Sequence, residues 1–344
     1  MAAVQTYLGP CDPEDLGTTL LHEHVFVRDF ELERSLPRTE WDEADAIERA
    51  VQGFEALHAL GVRTVVDLTV PGLGRDVRPV LAVARRVPIT LVASTGFYIK
   101  SELPLYYQFH GPGRSIDDPE PLVELFVRDI ETGIGDSGIR AAMLKVVTDV
   151  QGVTDDVARV MAAAAIAHRQ TGVPITTHSH PASHNGLVQQ DFLRAWGVPL
   201  ERVIIGHSGD TDDIAYLRAL MDSGSTIGLD RFGMEHVLPD ELRVATVLEL
   251  LRLGYGDRMI LSHDAAWFSH VTAPSWRATF APQWHMLHIS RDILPMLREG
   301  GATDADLHQL LVVNPSRLLK PSTGDTVPPP IGTAPGTVET ETRT

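Results

Sequence analysis

Short apolar runs alternate with longer amphipathic stretches from near residue 19 to near residue 319, and this alternation limits the chain to very few folds. Eight candidate strands stand out, at 19–25, 64–69, 90–95, 143–148, 174–178, 203–207, 226–230 and 259–263. Most are apolar on both faces, as parallel strands covered on both sides must be. Helical patterns lie between them, among them 43–60, 155–171 and 241–254, the last closed by Gly254 as a left-handed cap. Eight strand-helix units close a sheet on itself, so the expected class is α/β and the architecture a (β/α)8 TIM barrel. The rival, an open doubly wound sheet, carries a glycine fingerprint after its first strand. The nearest match, Gly72-Leu73-Gly74, lacks the third glycine and reads as a loop.

The polar side chains are concentrated at the ends of those apolar runs: LLHEHV, MLKVVTD, PITTHSH, VIIGHSGD and MILSHDA. A barrel of this kind gathers the C-terminal ends of its strands on one face, so residues far apart in sequence meet in one pocket there. His22 and His24 are two apart on a strand, leave it on the same side and can reach one ion together. His178, His207 and Asp264 end three further strands, and the group reads as a metal site. Lys145 is the odd member, because an ammonium has no lone pair to offer a cation. Burial and neighbouring cations lower a lysine's pKa, and the neutral amine can then add carbon dioxide to give a carbamate able to bridge two ions. The alternative is a lysine paired with a carboxylate such as Asp149.

Composition excludes several other classes of function. The 344 residues are 43% apolar with a formal net charge of −17, which repels nucleic-acid backbones and anionic membrane surfaces. A single cysteine, Cys11, permits no internal disulfide, and neither a signal peptide nor a membrane-length apolar run is present. The expectation is a cytoplasmic protein with a barrel domain over residues 1–320. Residues 321–344, rich in Pro, Thr and Gly, read as a disordered C-terminal tail. The 100–118 segment reads as a long loop after the third strand that faces substrate or another subunit.

HEH on the first strand, a lysine on the fourth, and THS, GHSGDTD and SHDA resemble the signature of the phosphotriesterase-like amidohydrolases, from Gly17 to Pro315. The resemblance implies two divalent ions, zinc first with cobalt, iron or manganese as alternatives. In that arrangement His22, His24 and Asp264 hold the buried ion, His178 and His207 hold the exposed one, and N6-carboxylated Lys145 bridges them with a hydroxide. Asp264 is then both ligand and general acid/base. Within this family GFYIK and GLDRFG resemble the lactonase branch and map to Tyr98, beside the metals, and Arg231, supporting the pocket wall. Both residues have a plainer reading, as a tyrosine packed under its loop and an arginine in a surface ion pair.

The activity implied is hydrolysis of N-acyl-homoserine lactones or related alkyl lactones by attack of the bridging hydroxide on the carbonyl, with promiscuous hydrolysis of organophosphate triesters. A dedicated phosphotriesterase and a non-catalytic binding protein on the same barrel are the alternatives. The partners expected are the small-molecule substrate and a second copy of the chain, in a homodimer. His180 and His184 are read as loop histidines rather than ligands, and His263 as structural. The loops 232–240 and 265–284 should set specificity, with Trp267, Phe268, Trp276 and Trp284 lining an apolar channel or packing the barrel top.

Overall fold

The computed structural model describes residues 3–36 and 40–322. Nearly all of the expected 321–344 tail lies outside the described residues. The barrel strands are β3 (Thr19–Val27), β4 (Thr64–Asp67), β5 (Thr90–Gly96), β6 (Met143–Val147), β7 (Ile175–His178), β8 (Val203–Ile205), β9 (Thr226–Leu229) and β10 (Met259–Leu261), preceded by a hairpin of β1 (Val4–Thr6) and β2 (Gly9–Cys11). A further strand, β11 (Ala266–Ser269), pairs back onto β3, and every pairing from β3 to β11 is parallel. The chain folds as the TIM barrel expected.

Two details differ from the expectation and matter for the site. The eighth barrel position is shared by two short strands: β10 pairs with β9, β11 pairs with β3, and residues 262–265 between them carry Asp264. Asp264 N donates to His22 O (3.0 Å) and His24 N donates to Ala265 O (2.8 Å), so the ring is joined through the break. The second detail is in β3, where Leu20 lies opposite Val65 but Glu23 lies opposite Asp67, one residue more than in the partner strand. Such a bulge locally suspends alternation. Leu21 can therefore join the apolar interior while His22 and His24 both reach the centre above it.

The helices follow from their caps. Helix Glu43–Ala59 starts on Asp42, whose side chain accepts from Asp45 N; Asp155–Thr171 starts on Thr154 and ends at left-handed Gly172. The predicted 241–254 helix runs Asp240–Arg252, with Gly254 beyond its end at φ 89°. Their apolar faces pack on the outward residues of the strands, such as Leu20, Val65, Leu91, Leu144 and Ile205. The inward residues Leu21, Val66, Val92, Met143, Ile204 and Ile260 form a separate cluster, closed from beneath by Val4, Leu16, Leu318 and Leu319. The hairpin and the last helix, Asn314–Leu319, thus plug the N-terminal end of the barrel. Cys11 packs half-buried against the same cluster.

The 100–118 segment is less irregular than expected, with a short helix Leu105–Phe109 and a bridge between His110 and Ile116. Arg159 holds it to the barrel by donating to the carbonyls of Tyr107 and His110. Among the described residues no helix is long and apolar enough to cross a membrane.

Candidate metal centre and active site

The six expected ligands converge above the apolar plug. His22, Lys145 and His207 are each 1% exposed, His24 and His178 7%. Lys145 Nζ donates to His22 Nε2 at 2.7 Å, His207 Nε2 faces His178 Nδ1 at 3.0 Å, and Asp264 Oδ1 lies 3.1 Å from His24 Nε2 and 3.5 Å from His22 Nε2. Asp264 Oδ2 is 3.7 Å from His207 Nε2, which makes this carboxylate the hub of the group.

Each histidine is held by its outer nitrogen. Asp230 accepts from His22 Nδ1 at 2.6 Å with one oxygen, and from His207 Nδ1 (2.9 Å) and His207 N (2.8 Å) with the other. His24 Nδ1 meets Thr69 Oγ1 at 3.0 Å, and that hydroxyl donates to Asp67 at 2.6 Å. His178 Nε2 lies 3.7 Å from Asp149, which is paired with Lys100 at 2.6 Å. A carboxylate only accepts, so Nδ1 of His22 and of His207 carries the proton and the Nε2 lone pair points inward. Geometry alone also groups His22, His207 and Asp230 as a ligand set. The short N–H···O contacts instead make Asp230 the orienting partner of both rings. It needs space, and two glycines provide it: a Cβ at Gly228 would come within 2.5 Å of Asp230 Oδ2, and one at Gly206 within 3.1 Å.

Electrostatics agree with a cation site. Burial pushes the pKa of His22 down and that of His207 well down, and that of His178 to about 4, so all three are neutral ligands at neutral pH. Burial also pulls Lys145 down to about 8. Burial alone would raise Asp264, but the hydrogen bond with His24 and the charge of Arg231 hold it well below the ordinary carboxylate range. Neutral imidazoles with converging lone pairs, one carboxylate and a lysine near its neutral form make a donor set that fits divalent ions of the mixed imidazole-carboxylate kind. The alternative pairing of Lys145 with Asp149 is not formed, because Asp149 is engaged by Lys100 and His178.

Two ligand positions are backbone exceptions: His207 and Asp264 sit at φ 60° and 53°, left-handed for non-glycine residues. Both were expected at or just past a strand end; instead they leave the strand, and the turn aims their side chains across the barrel mouth. Glu23 anchors the second turn, accepting from Ser262 Oγ, His263 N and His263 Nδ1 with one oxygen and from Ala265 N with the other. His263 is fully buried on the helix side, its Nε2 accepting from Ile289 N, and so takes the structural place expected of it.

Arg231 lies inside the site, donating from Nε to Asp264 at 3.1 Å and from Nη1 to Asp210 at 2.8 Å; Asp210 also pairs with Arg243 at 3.0 Å. It is no surface ion pair. Tyr98 sets its ring edge-on to His178, centroids 5.7 Å apart, and among the described residues its hydroxyl has no hydrogen-bond partner. Burial, then Asp264, push its pKa up to about 12, so it stays a proton donor at neutral pH. His180 binds Ser183 and His184 stacks on Tyr216, away from the cluster. Of the loop aromatics, Trp267 packs on Phe54 and Phe268 on Trp41, Trp276 meets Phe280 at the surface, and Trp284 donates to His263 O.

Asp230, Glu23 and Asp67 were not singled out from sequence, and Asp149 only as an alternative partner for Lys145. Asp230 and Asp149 carried a usable signal, since each directly follows an apolar run just as the ligands do.

A closed parallel barrel whose strand ends gather four histidines, an aspartate and a buried lysine defines a metal-dependent hydrolase. The chain belongs to the phosphotriesterase family, whose model matches residues 2–319. It is 42% identical to a phosphotriesterase homology protein of Mycobacterium tuberculosis over 93% of this chain and 98% of that one. It is 38% identical to an aryldialkylphosphatase of Saccharolobus solfataricus over 89% and 96%. The solved structure of the phosphotriesterase from Mycobacterium tuberculosis superimposes with a TM-score of 0.90 at 42% identity, covering 93% of this chain and 98% of that chain.

Proposed function

We propose that this hydrolase opens lactones, N-acyl-homoserine lactones or related alkyl lactones, with weaker hydrolysis of organophosphate triesters. The observation that supports the reading is Tyr98: a protonated, otherwise unpartnered phenol beside His178, able to donate to a ring oxygen as it becomes an alkoxide. His22, His24 and Asp264 would hold one ion and His178 and His207 a second, zinc in the first instance. Lys145, losing a proton from Nζ as it adds carbon dioxide, would supply a carbamate between them. When bound, such ions acidify water and polarise the carbonyl or phosphoryl oxygen under attack.

The chain's own groups do the rest. Asp264 takes up the proton at its carboxylate, and Arg231, clamped by Asp210, keeps that carboxylate in place. Asp230 holds His22 and His207 in one tautomer through the cycle. We further propose one unit over residues 1–320, a homodimer and a cytoplasmic location.

A dedicated phosphotriesterase is the second reading, favoured by the likeness to an aryldialkylphosphatase. The test is hydrolysis of a homoserine-lactone series and of an aryl dialkyl phosphate by metal-reconstituted protein, with metal content measured on the same sample. About two metals per chain and faster lactone turnover are expected. A reversed preference would favour the second reading, and bound metal with no turnover on either would favour a binding protein.

A further inference from the structure

The segment after β11 buries a cation that no acid neutralises. Arg277, in the helix Pro274–Phe280, is 9% exposed; it donates from Nε to Thr272 O at 3.1 Å and from Nη1 to Ala266 O, and its guanidinium lies 5.9 Å from the Trp284 ring. Among the described residues no carboxylate pairs with it, and Nη2 has no hydrogen bond. Other well-buried arginines are matched: Arg28 with Glu33, Arg75 with Asp129, Arg159 with Glu120, Arg243 with Asp210. Burial alone pulls the Arg277 pKa down to about 10. The two carbonyls occupy Nε and Nη1, which leaves Nη2 as the free edge of the guanidinium.

Arg277 borders a cavity of about 220 Å³ walled by Ala266, Pro274, Ala281, Trp284 and His285. His285 lines it too, on a ring that burial keeps neutral, with its Nδ1 shut away from solvent and without a hydrogen-bond partner among the described residues. The cavity adjoins the reaction centre: Ala266 is two residues from Asp264, and Trp284 donates to the carbonyl of His263 at 2.8 Å. The loop expected to offer an apolar channel therefore ends in a cationic corner.

We propose that this cavity is an oxyanion subsite that takes a carboxylate, with Arg277 Nη2 as its donor and the His285 ring in its wall. A carboxylate oxygen would give Nη2 the acceptor it lacks and the guanidinium the charge partner it lacks. The carboxylate belongs either to the far end of a hydrolysed substrate, which rests on the hydrolase reading above, or to a small free acid.

The test uses the full metal-loaded chain, wild type against Arg277→Met, which keeps an unbranched stem, and Arg277→Lys, which keeps the charge. Adipate should raise the melting temperature of the wild type, less that of Arg277→Lys, and least that of Arg277→Met. In parallel, kcat/KM is compared for an aryl monoester of adipate and an aryl ester of a neutral acid of the same length. For a substrate tail, Arg277→Met lowers the ratio of the two by about ten- to a hundredfold. An adipate effect without a change in ratio assigns the subsite to a free acid. If neither ester is hydrolysed yet the Arg277-dependent adipate effect remains, the substrate-tail role fails and the subsite stands for a free acid. If Arg277→Met alters neither the adipate effect nor the ratio, the proposal is overturned.

Discussion

The two ends of the barrel interior are built from the same strands and follow opposite rules. Below, Leu21, Val66, Val92, Met143, Ile204 and Ile260 fill the space with apolar side chains and are sealed by the hairpin and the last helix. Above, one to four residues further along the same strands or just past their ends, are histidines, a lysine and carboxylates, some on strained left-handed backbone. The lower layer gains stability by removing apolar surface from water; the upper one buries polar groups that are costly unless each is partnered. The contrast explains why so many acids stand behind the site. Asp230, Asp67, Asp149 and Glu23 occupy the outer faces of groups whose inner faces must stay open for ions and substrate.

Substitutions at the two ends should therefore separate activity from stability. Asp264→Asn should lower turnover by roughly 10²–10⁴-fold with little change in melting temperature, measured on metal-loaded protein; wild-type turnover in that variant would remove the proton-transfer role. Lys145→Ala should lose most of its turnover, and added short carboxylic acids should partly restore it, since they can replace the carbamate oxygens; rescue is scored against equal ionic strength. Ile260→Ala, in the lower layer, should cost about 2–5 kcal/mol in denaturant unfolding while leaving turnover per folded molecule unaltered. A fall in turnover there would mean that the two ends are mechanically coupled.

Smaller effects sharpen the upper layer itself. Asp230→Asn should weaken retention of both ions by about 10- to 100-fold in chelator competition, because one carboxylate orients a histidine of each proposed ion. Loss of only one ion would contradict that shared role. Tyr98→Phe should slow lactone opening by about tenfold, the worth of one hydrogen bond to a developing charge, and phosphotriester hydrolysis less. Equal losses on the two substrates would count against the lactonase reading.

The metal-competent residues were readable because each closes an apolar run, and in a parallel barrel that position has one address. Trp267 and Phe268 show the limit of the same reasoning. Their place in a substrate loop left a channel and barrel-top packing both open, and it is the pairing of β11 with β3 that turns both into the packing layer around Phe54 and Trp41. Strand pairing between distant segments is a tertiary event that local pattern does not announce. The bulge in β3 was equally hidden, since LLHEHV reads as an uninterrupted strand.

Alternation of strand and helix, the apolar character of the strands and the residue types at their ends are local properties, so the sequence alone determined the barrel and the inventory of its centre. Which nitrogen of each histidine faces inward, how Arg231 is shared between Asp264 and Asp210, and where an unmatched arginine meets a cavity were decided only by the tertiary structure. Those facts depend on angstrom-scale approach between segments as far apart as His22 and Asp230, and only the closed barrel sets such distances.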